Sequence, residues 1–116
     1  MSRSDDAARL GHILEAATSA VRILNGRSIA QLQDDPVAVL AIERLIGIVG
    51  EAANRLSTTA LATMPEVPWR DVIDMRNFII HSYIDVDLPT VWKTVASDLP
   101  PLIAQVERAL AERPDH

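Results

Sequence analysis

The sequence has 116 residues, 48% of them hydrophobic, which favours one folded domain over residues 1–116 and argues against disorder. Cysteine is absent, so disulfide bonds, thiolate metal ligands and cysteine nucleophiles are excluded. The formal net charge of -5 weighs against binding of nucleic acid over a broad basic surface, although it allows one local basic site.

The first predicted helix starts near Ser4, whose hydroxyl can cap its backbone donors. Its apolar residues follow a spacing of three and four residues and predict one buried stripe, made of Leu10, Ile13, Leu14, Ala17, Val21 and Leu24. Asn25-Gly26 is typical of a helix end, because both residues tolerate the left-handed conformation. Residues 27–34 are predicted to form a connector with room for one helical turn.

The second predicted helix begins at Asp35-Pro36, as N-cap and first helical residue, and its broad apolar face is typical of a central helix. Gly47, Gly50 and Ala53 recur along it every three residues, and such small residues let another backbone approach closely. Tight packing within the monomer is the favoured interpretation, and a contact between two copies is the alternative.

Trp69 begins the third predicted helix, after a connector (57–68) that contains two prolines, and this helix is predicted to continue to residue 83. The fourth predicted helix is capped by Asp87. The proline pair at 100–101 must kink or break it, because proline lacks a backbone donor. Together these elements predict an all-α protein, an up-and-down bundle of four to five helices.

The sequence contains few features of a metal-binding protein or of a membrane protein. The three histidines, His12, His81 and His116, are far apart, and no two of them have helical spacing, so we expect neither a metal site nor a bound cofactor. No signal peptide is recognisable, and no apolar run approaches the roughly 18 residues of a membrane span. We therefore expect a cytoplasmic protein that does not bind membranes.

Polar side chains interrupt the third helix at Arg76, Asn77, His81 and Tyr83. At about 100° per residue, Asn77 and His81 lie one turn apart on the same face, and the long Arg76 side chain can reach toward His81. A helix end whose polar side chains bond to local backbone groups would also explain this spacing. The residue types nevertheless suit RNA cleavage. Neutral imidazole can accept the proton of a ribose 2′-hydroxyl, and guanidinium can stabilise the negative transition state without a metal.

The segment Arg76-Asn77-x-x-x-His81-x-Tyr83 resembles the Arg-x4-His-x-Tyr motif of HepT toxins, which belong to the HEPN superfamily of helical ribonucleases. The resemblance covers about residues 5–110. It includes further segments in the expected order, namely Gly50-Glu51-Ala52-Ala53, Pro68-Trp69, Asp87-Leu88-Pro89-Thr90-Val91-Trp92 and Asp98-Leu99-Pro100.

The resemblance implies an HEPN-like homodimeric toxin of a two-gene, type II- or type VII-like toxin–antitoxin module. Arg76 and His81 would form a metal-independent endoribonuclease site, with Asn77 and Glu51 as supporting residues. The antitoxin would be a minimal nucleotidyltransferase (MNT or MntA) that silences the toxin by transferring AMP from ATP to Tyr83. The attached AMP would place negative charge beside the site and compete with the RNA phosphate for Arg76.

Two other functions remain open at this point. The chain could be a non-catalytic helical protein that binds and regulates a nucleotidyltransferase, which its acidic net charge mildly favours. It could also be a nucleotide-binding module in which Arg76 holds a phosphate without cleavage. The presence of both Arg76 and His81 favours the ribonuclease. Since one chain supplies only one such histidine, a two-fold dimer would have to provide the second acid.

Overall fold

The computed structural model describes residues 3–78 and 87–113, and every regular element within these ranges is helical. In chain order the elements are α1 (Arg3–Leu24), α2 (Ile29–Gln33), α3 (Pro36–Asn54), α4 (Thr58–Ala62), α5 (Trp69–Asp74), a 3₁₀ turn (Met75–Asn77), α6 (Leu88–Lys93), a π turn (Thr94–Asp98) and α7 (Leu99–Glu112). The predicted all-α class is confirmed. The described helices outnumber the four to five that were predicted, because two short helices, α2 and α4, form in the connectors. The homodimer stays a prediction.

The core lies where α1 packs against both α3 and α7. Each long helix contributes a stripe of buried side chains spaced three or four residues apart, chiefly Leu10, Ile13, Ala17 and Ala20 from α1, Ile42, Ile46, Val49 and Ala53 from α3, and Leu99, Leu102, Val106 and Leu110 from α7. Burial of each Leu, Ile or Val contributes roughly 1.5–3 kcal/mol, so these stripes supply most of the driving force. No described helix is both long and apolar enough to cross a membrane.

The predicted ends of the first two helices are largely confirmed. Asn25 and Gly26 both adopt left-handed conformations, with φ of 52° and 70°, directly after α1. The Asp35 carboxylate accepts a hydrogen bond from the Ala38 backbone N–H at 3.1 Å and so caps α3. The first helix begins at Arg3, one residue before the predicted start near Ser4.

Arg27 joins three helices at one end of the bundle. Its guanidinium donates to the carbonyls of Ile23 and Leu24, at the end of α1, and to the Asp35 carboxylate at 2.9 Å, at the start of α3. Its own carbonyl accepts a hydrogen bond from the Trp92 indole at 2.8 Å, which ties α6 to the same point. The connector between α1 and α3 is thereby held in one geometry.

Hydrogen bonds also fix the connector between α3 and α5. The Asp6 carboxylate of α1 accepts from both the backbone N–H and the hydroxyl of Ser57, at 2.9 and 2.6 Å. Ser57 in turn caps α4 through the N–H of Ala60. Further along, the Trp69 indole donates to the carbonyl of Met64 at 3.1 Å, which fixes the start of α5.

The third and fourth predicted helices are less regular than expected. The third begins at Trp69, as predicted, but is α-helical only to Asp74 and tightens into the 3₁₀ turn at Met75–Asn77; its predicted continuation through 79–83 lies outside the described residues. The fourth helix widens into the π turn just before Pro100-Pro101. In a regular α-helix the proline rings would clash with carbonyls four residues earlier, and both prolines lack a donor. The predicted interruption therefore takes the form of a π turn, and the helical segment continues without a break.

Candidate active site

The backbone of Arg76 lies directly against Gly50 of α3. A Cβ atom built on Gly50 would stand 2.2 Å from the Arg76 backbone nitrogen, 2.9 Å from its Cα and 2.9 Å from the Ile73 carbonyl oxygen. Only a residue without a side chain allows this approach. At Gly50, the small residue therefore serves packing within the monomer, as the favoured interpretation of the spacing predicts.

The side chain of Arg76 is half-buried, and no described residue forms a hydrogen bond or ion pair with it. The Arg27 guanidinium, by contrast, donates to two carbonyls and a carboxylate. A guanidinium offers five donors in a planar fork that matches the oxygens of a phosphate. Within residues 3–78 and 87–113 nothing occupies these donors, which suits Arg76 to an anionic ligand.

The two residues proposed as supporting, Asn77 and Glu51, are both exposed. Asn77 directly follows Arg76 in the 3₁₀ turn, and Glu51 follows Gly50 in α3, so the Gly50 contact brings their backbones into one neighbourhood. Within 3–78 and 87–113, neither side chain forms a hydrogen bond or ion pair. Glu51 is thus not held by a described arginine.

His81 and Tyr83 lie outside the described residues, so the proposed Arg76–His81 pair and the modified tyrosine stay predictions. The α-helical spacing used to relate Asn77 to His81 does not hold across Met75–Asn77, because a 3₁₀ turn advances about 120° rather than 100° per residue. The order of the motif along the chain is unaffected by this difference.

One buried carboxylate on α3 was not singled out by the sequence analysis. Glu43 is 2% exposed and lies one helical turn before Gly47 and two before Gly50, on the same side of α3. An acidic residue within an apolar helical face is itself a signal, since such residues are rarely buried without a specific role. No group of three or more histidine and acidic side chains among the described residues could hold a metal ion.

Several residues that carry the family resemblance prove to be structural. The indoles of Trp69 and Trp92 each donate to a backbone carbonyl, of Met64 and Arg27 respectively. Asp87 caps α6 by accepting hydrogen bonds from the hydroxyl and then the backbone N–H of Thr90, which lower the pKa of its carboxyl group. These contacts fix the described elements on both sides of the motif segment.

Comparisons with known proteins show the family of this chain. The model of the family described as Ribonuclease HepT-like matches residues 13–109. A candidate RNase of Methanocaldococcus jannaschii is 30% identical over 92% of this chain and 98% of its own length. A candidate RNase of Caldanaerobacter subterraneus is 32% identical over 87% and 90%. A protein of Thermococcus cleftensis named as a HepT ribonuclease is 36% identical over 64% and 67%. No solved structure matches significantly.

Proposed function

The chain belongs to the HepT-like ribonuclease family, and from this premise we propose that it is the toxin of a toxin–antitoxin module, a metal-independent endoribonuclease using Arg76 and His81. The observation that carries the proposal is the half-buried Arg76 guanidinium, which has no counter-ion among the described residues and whose backbone is fixed on α3. Such a cation is suited to a phosphodiester, because its fork can bond two oxygens of one phosphate.

In the proposed reaction, the His81 imidazole takes the proton of the ribose 2′-hydroxyl, and the 2′-oxygen attacks the adjacent phosphorus. The bond from phosphorus to the 5′-oxygen breaks, and that oxygen takes a proton from a second acid. Arg76 stabilises the additional negative charge on the phosphate oxygens in the transition state. The products are one strand ending in a 2′,3′-cyclic phosphate and one beginning with a 5′-hydroxyl.

The experiment is cleavage of RNA by the purified protein in the presence of a metal chelator. We expect His81→Ala and Arg76→Ala to abolish cleavage, and Arg76→Lys to restore only part of it, because a point charge replaces a fork. Arg70→Ala, which removes an exposed arginine of α5, is the matched control and should leave cleavage nearly unchanged. Full activity of His81→Ala would overturn the ribonuclease and favour a non-catalytic protein that regulates a nucleotidyltransferase.

The proposal includes a homodimer, since each chain supplies a single His81 and the leaving oxygen needs a second acid. Sedimentation at micromolar concentration should report twice the chain mass of 12.7 kDa. Mixed dimers of one wild-type and one His81→Ala chain test whether the two copies share a cleft, because a cleft that needs both histidines would be inactive with one, whereas two independent sites would keep about half of the activity. A monomer that cleaves RNA at full rate would contradict this part of the proposal.

We further propose that a minimal nucleotidyltransferase silences the toxin at Tyr83. The phenol oxygen attacks the α-phosphorus of ATP, loses its proton and displaces pyrophosphate, so that one AMP is added per event. Tyr83→Phe removes the acceptor oxygen but keeps the ring, so cleavage should persist while neutralisation by the nucleotidyltransferase with ATP and Mg²⁺ fails. Normal neutralisation of Tyr83→Phe would show that the modified residue is another one.

A further inference from the structure

We propose that Gly50 is a positioning residue for Arg76: the missing side chain at this position sets where the guanidinium stands relative to the RNA phosphate. This inference rests on the proposed ribonuclease function, because it assigns Gly50 a role in the same site. Gly50 itself would touch neither RNA nor the reacting atoms. Its effect on the reaction would pass entirely through Arg76.

The contact is between two backbones, so it cannot relax by rotation of a side chain. A Cβ on Gly50 would meet the Arg76 nitrogen at 2.2 Å, far inside the 3.0 Å below which real Cβ atoms are essentially never found. Restoring ordinary contact would move the two segments apart by about 1 Å, since carbon and nitrogen atoms pack at roughly 3.5 Å. One methyl group would thus displace the Arg76 backbone.

The surrounding packing directs this displacement to Arg76. Val72 and Met75, each of which directly precedes a residue of the contact (Ile73 and Arg76), are 3% and 7% exposed and belong to the core. Close-packed neighbours of this kind hinder α5 from sliding as a whole. The contact also coincides with the change from α to 3₁₀ geometry at Met75–Asn77, where Arg76 occupies the middle position. The strain of an added methyl group would therefore fall on this turn.

The expected effect is on the chemical step. A displacement of about 1 Å at a group that stabilises the transition state lowers the rate on the order of 100-fold. We therefore expect Gly50→Ala to lower kcat by about this factor while KM changes much less. Gly11→Ala is the matched control, because Gly11 is also helical and a Cβ there meets nothing within 4 Å. That variant should keep wild-type kcat and show a raised Tm, since alanine favours the helix.

A double-mutant cycle separates positioning from general destabilisation. Binding of an RNA that the wild type cleaves, protected by 2′-O-methylation, is measured for wild type, Gly50→Ala, Arg76→Ala and the double variant. If Gly50 acts through Arg76, Gly50→Ala weakens binding several-fold in the wild-type background and has no further effect once Arg76 is removed. Equal weakening in both backgrounds would overturn the inference, because a merely structural glycine affects both alike.

Two further outcomes are decisive. A folded Gly50→Ala protein with kcat within twofold of wild type overturns the positioning role while leaving the ribonuclease intact. Absence of RNA cleavage by the wild type, by contrast, overturns the proposed function and this inference together. If Gly50→Ala does not fold, the cycle is repeated in the Gly11→Ala background, whose α1 is more stable. Failure of that protein to fold would show that Gly50 serves the fold itself and would overturn the inference.

Discussion

Replacement of Asp6 by alanine should destabilise the protein, because it removes the hydrogen bonds that join α1 to Ser57. The Asp6 carboxylate is 4% exposed and accepts two hydrogen bonds from Ser57, a residue 51 positions away, at 2.9 and 2.6 Å. Hydrogen bonds to a charged group contribute about 1.5–3 kcal/mol each, which sets an upper limit of about 3–6 kcal/mol for Asp6→Ala.

The expected value lies below this limit for a structural reason. Asp6 and Ser57 line a cleft of about 390 Å³, so water can reach the N–H and hydroxyl of Ser57 once the carboxylate is gone. We therefore expect a loss of about 2–3 kcal/mol in the free energy of unfolding. For a domain of this size that corresponds to a decrease in Tm of about 8–12 °C, at about 4 °C per kcal/mol.

Urea unfolding followed by circular dichroism, at one fixed protein concentration, measures the difference. Glu15→Ala, which removes an exposed carboxylate from the same helix, is the control and should change the free energy by less than about 0.5 kcal/mol. Ser57→Ala should cost less than Asp6→Ala, because the backbone N–H bond to Asp6 survives. A loss below about 0.5 kcal/mol for Asp6→Ala would refute the reasoning that this bond pair fixes the connector.

Two further predictions concern the hydrogen bonds that join Arg27 to Asp35 and Trp92. Trp92→Phe removes the indole bond to the Arg27 carbonyl, 65 positions away, and should lower the free energy of unfolding by about 1–2 kcal/mol in the same urea assay; no change would contradict a role for this bond. The pKa of the Asp35 carboxyl is lowered first by the hydrogen bond from Arg27 and then by that from the Ala38 backbone. Because the pKa of Asp35 is lower in the folded state, its carboxylate stabilises the fold at pH values above the ordinary pKa of 3.8. This stabilisation is lost as the pH falls through the folded pKa. Asp35→Asn should therefore make Tm decrease less steeply as the pH is lowered. An unchanged slope would argue against this linkage.

Helix boundaries were the most predictable part of the fold, because they depend on neighbouring residues. Asp35 and Asp87 cap helices in the structure, and Asn25 and Gly26 end one, as their local patterns predict. Near Ser4 the local pattern locates the start of α1 to within one residue, since the helix begins at Arg3. The bond between Asp6 and Ser57 depends on how α1 packs in three dimensions, and no local pattern indicates it.

The sequence predicts the residue types of the candidate site, and these assignments stay predictions, whereas the geometry around Arg76 could not be predicted from it. The sequence indicates Arg76 as the phosphate-binding group, and the structure adds that its backbone contacts Gly50 and that its side chain has no described counter-ion. The spacing of Gly47 and Gly50 predicts that another backbone approaches α3 closely. It does not show whether that backbone belongs to the same chain or to a second copy. The 3₁₀ turn coincides with this tertiary contact, which explains why α-helical periodicity does not predict it.

The two indoles give this protein a built-in optical reporter. Trp69 and Trp92 are its only tryptophans, and they lie on either side of residues 70–91, the stretch that contains the Arg-x4-His-x-Tyr motif. Each indole N–H is bonded to a backbone carbonyl, so the emission of each ring depends on the geometry at one end of that stretch. Single-tryptophan variants would separate the two signals. Fluorescence could then follow RNA binding or nucleotide transfer in real time, at either end of the motif, without an attached dye.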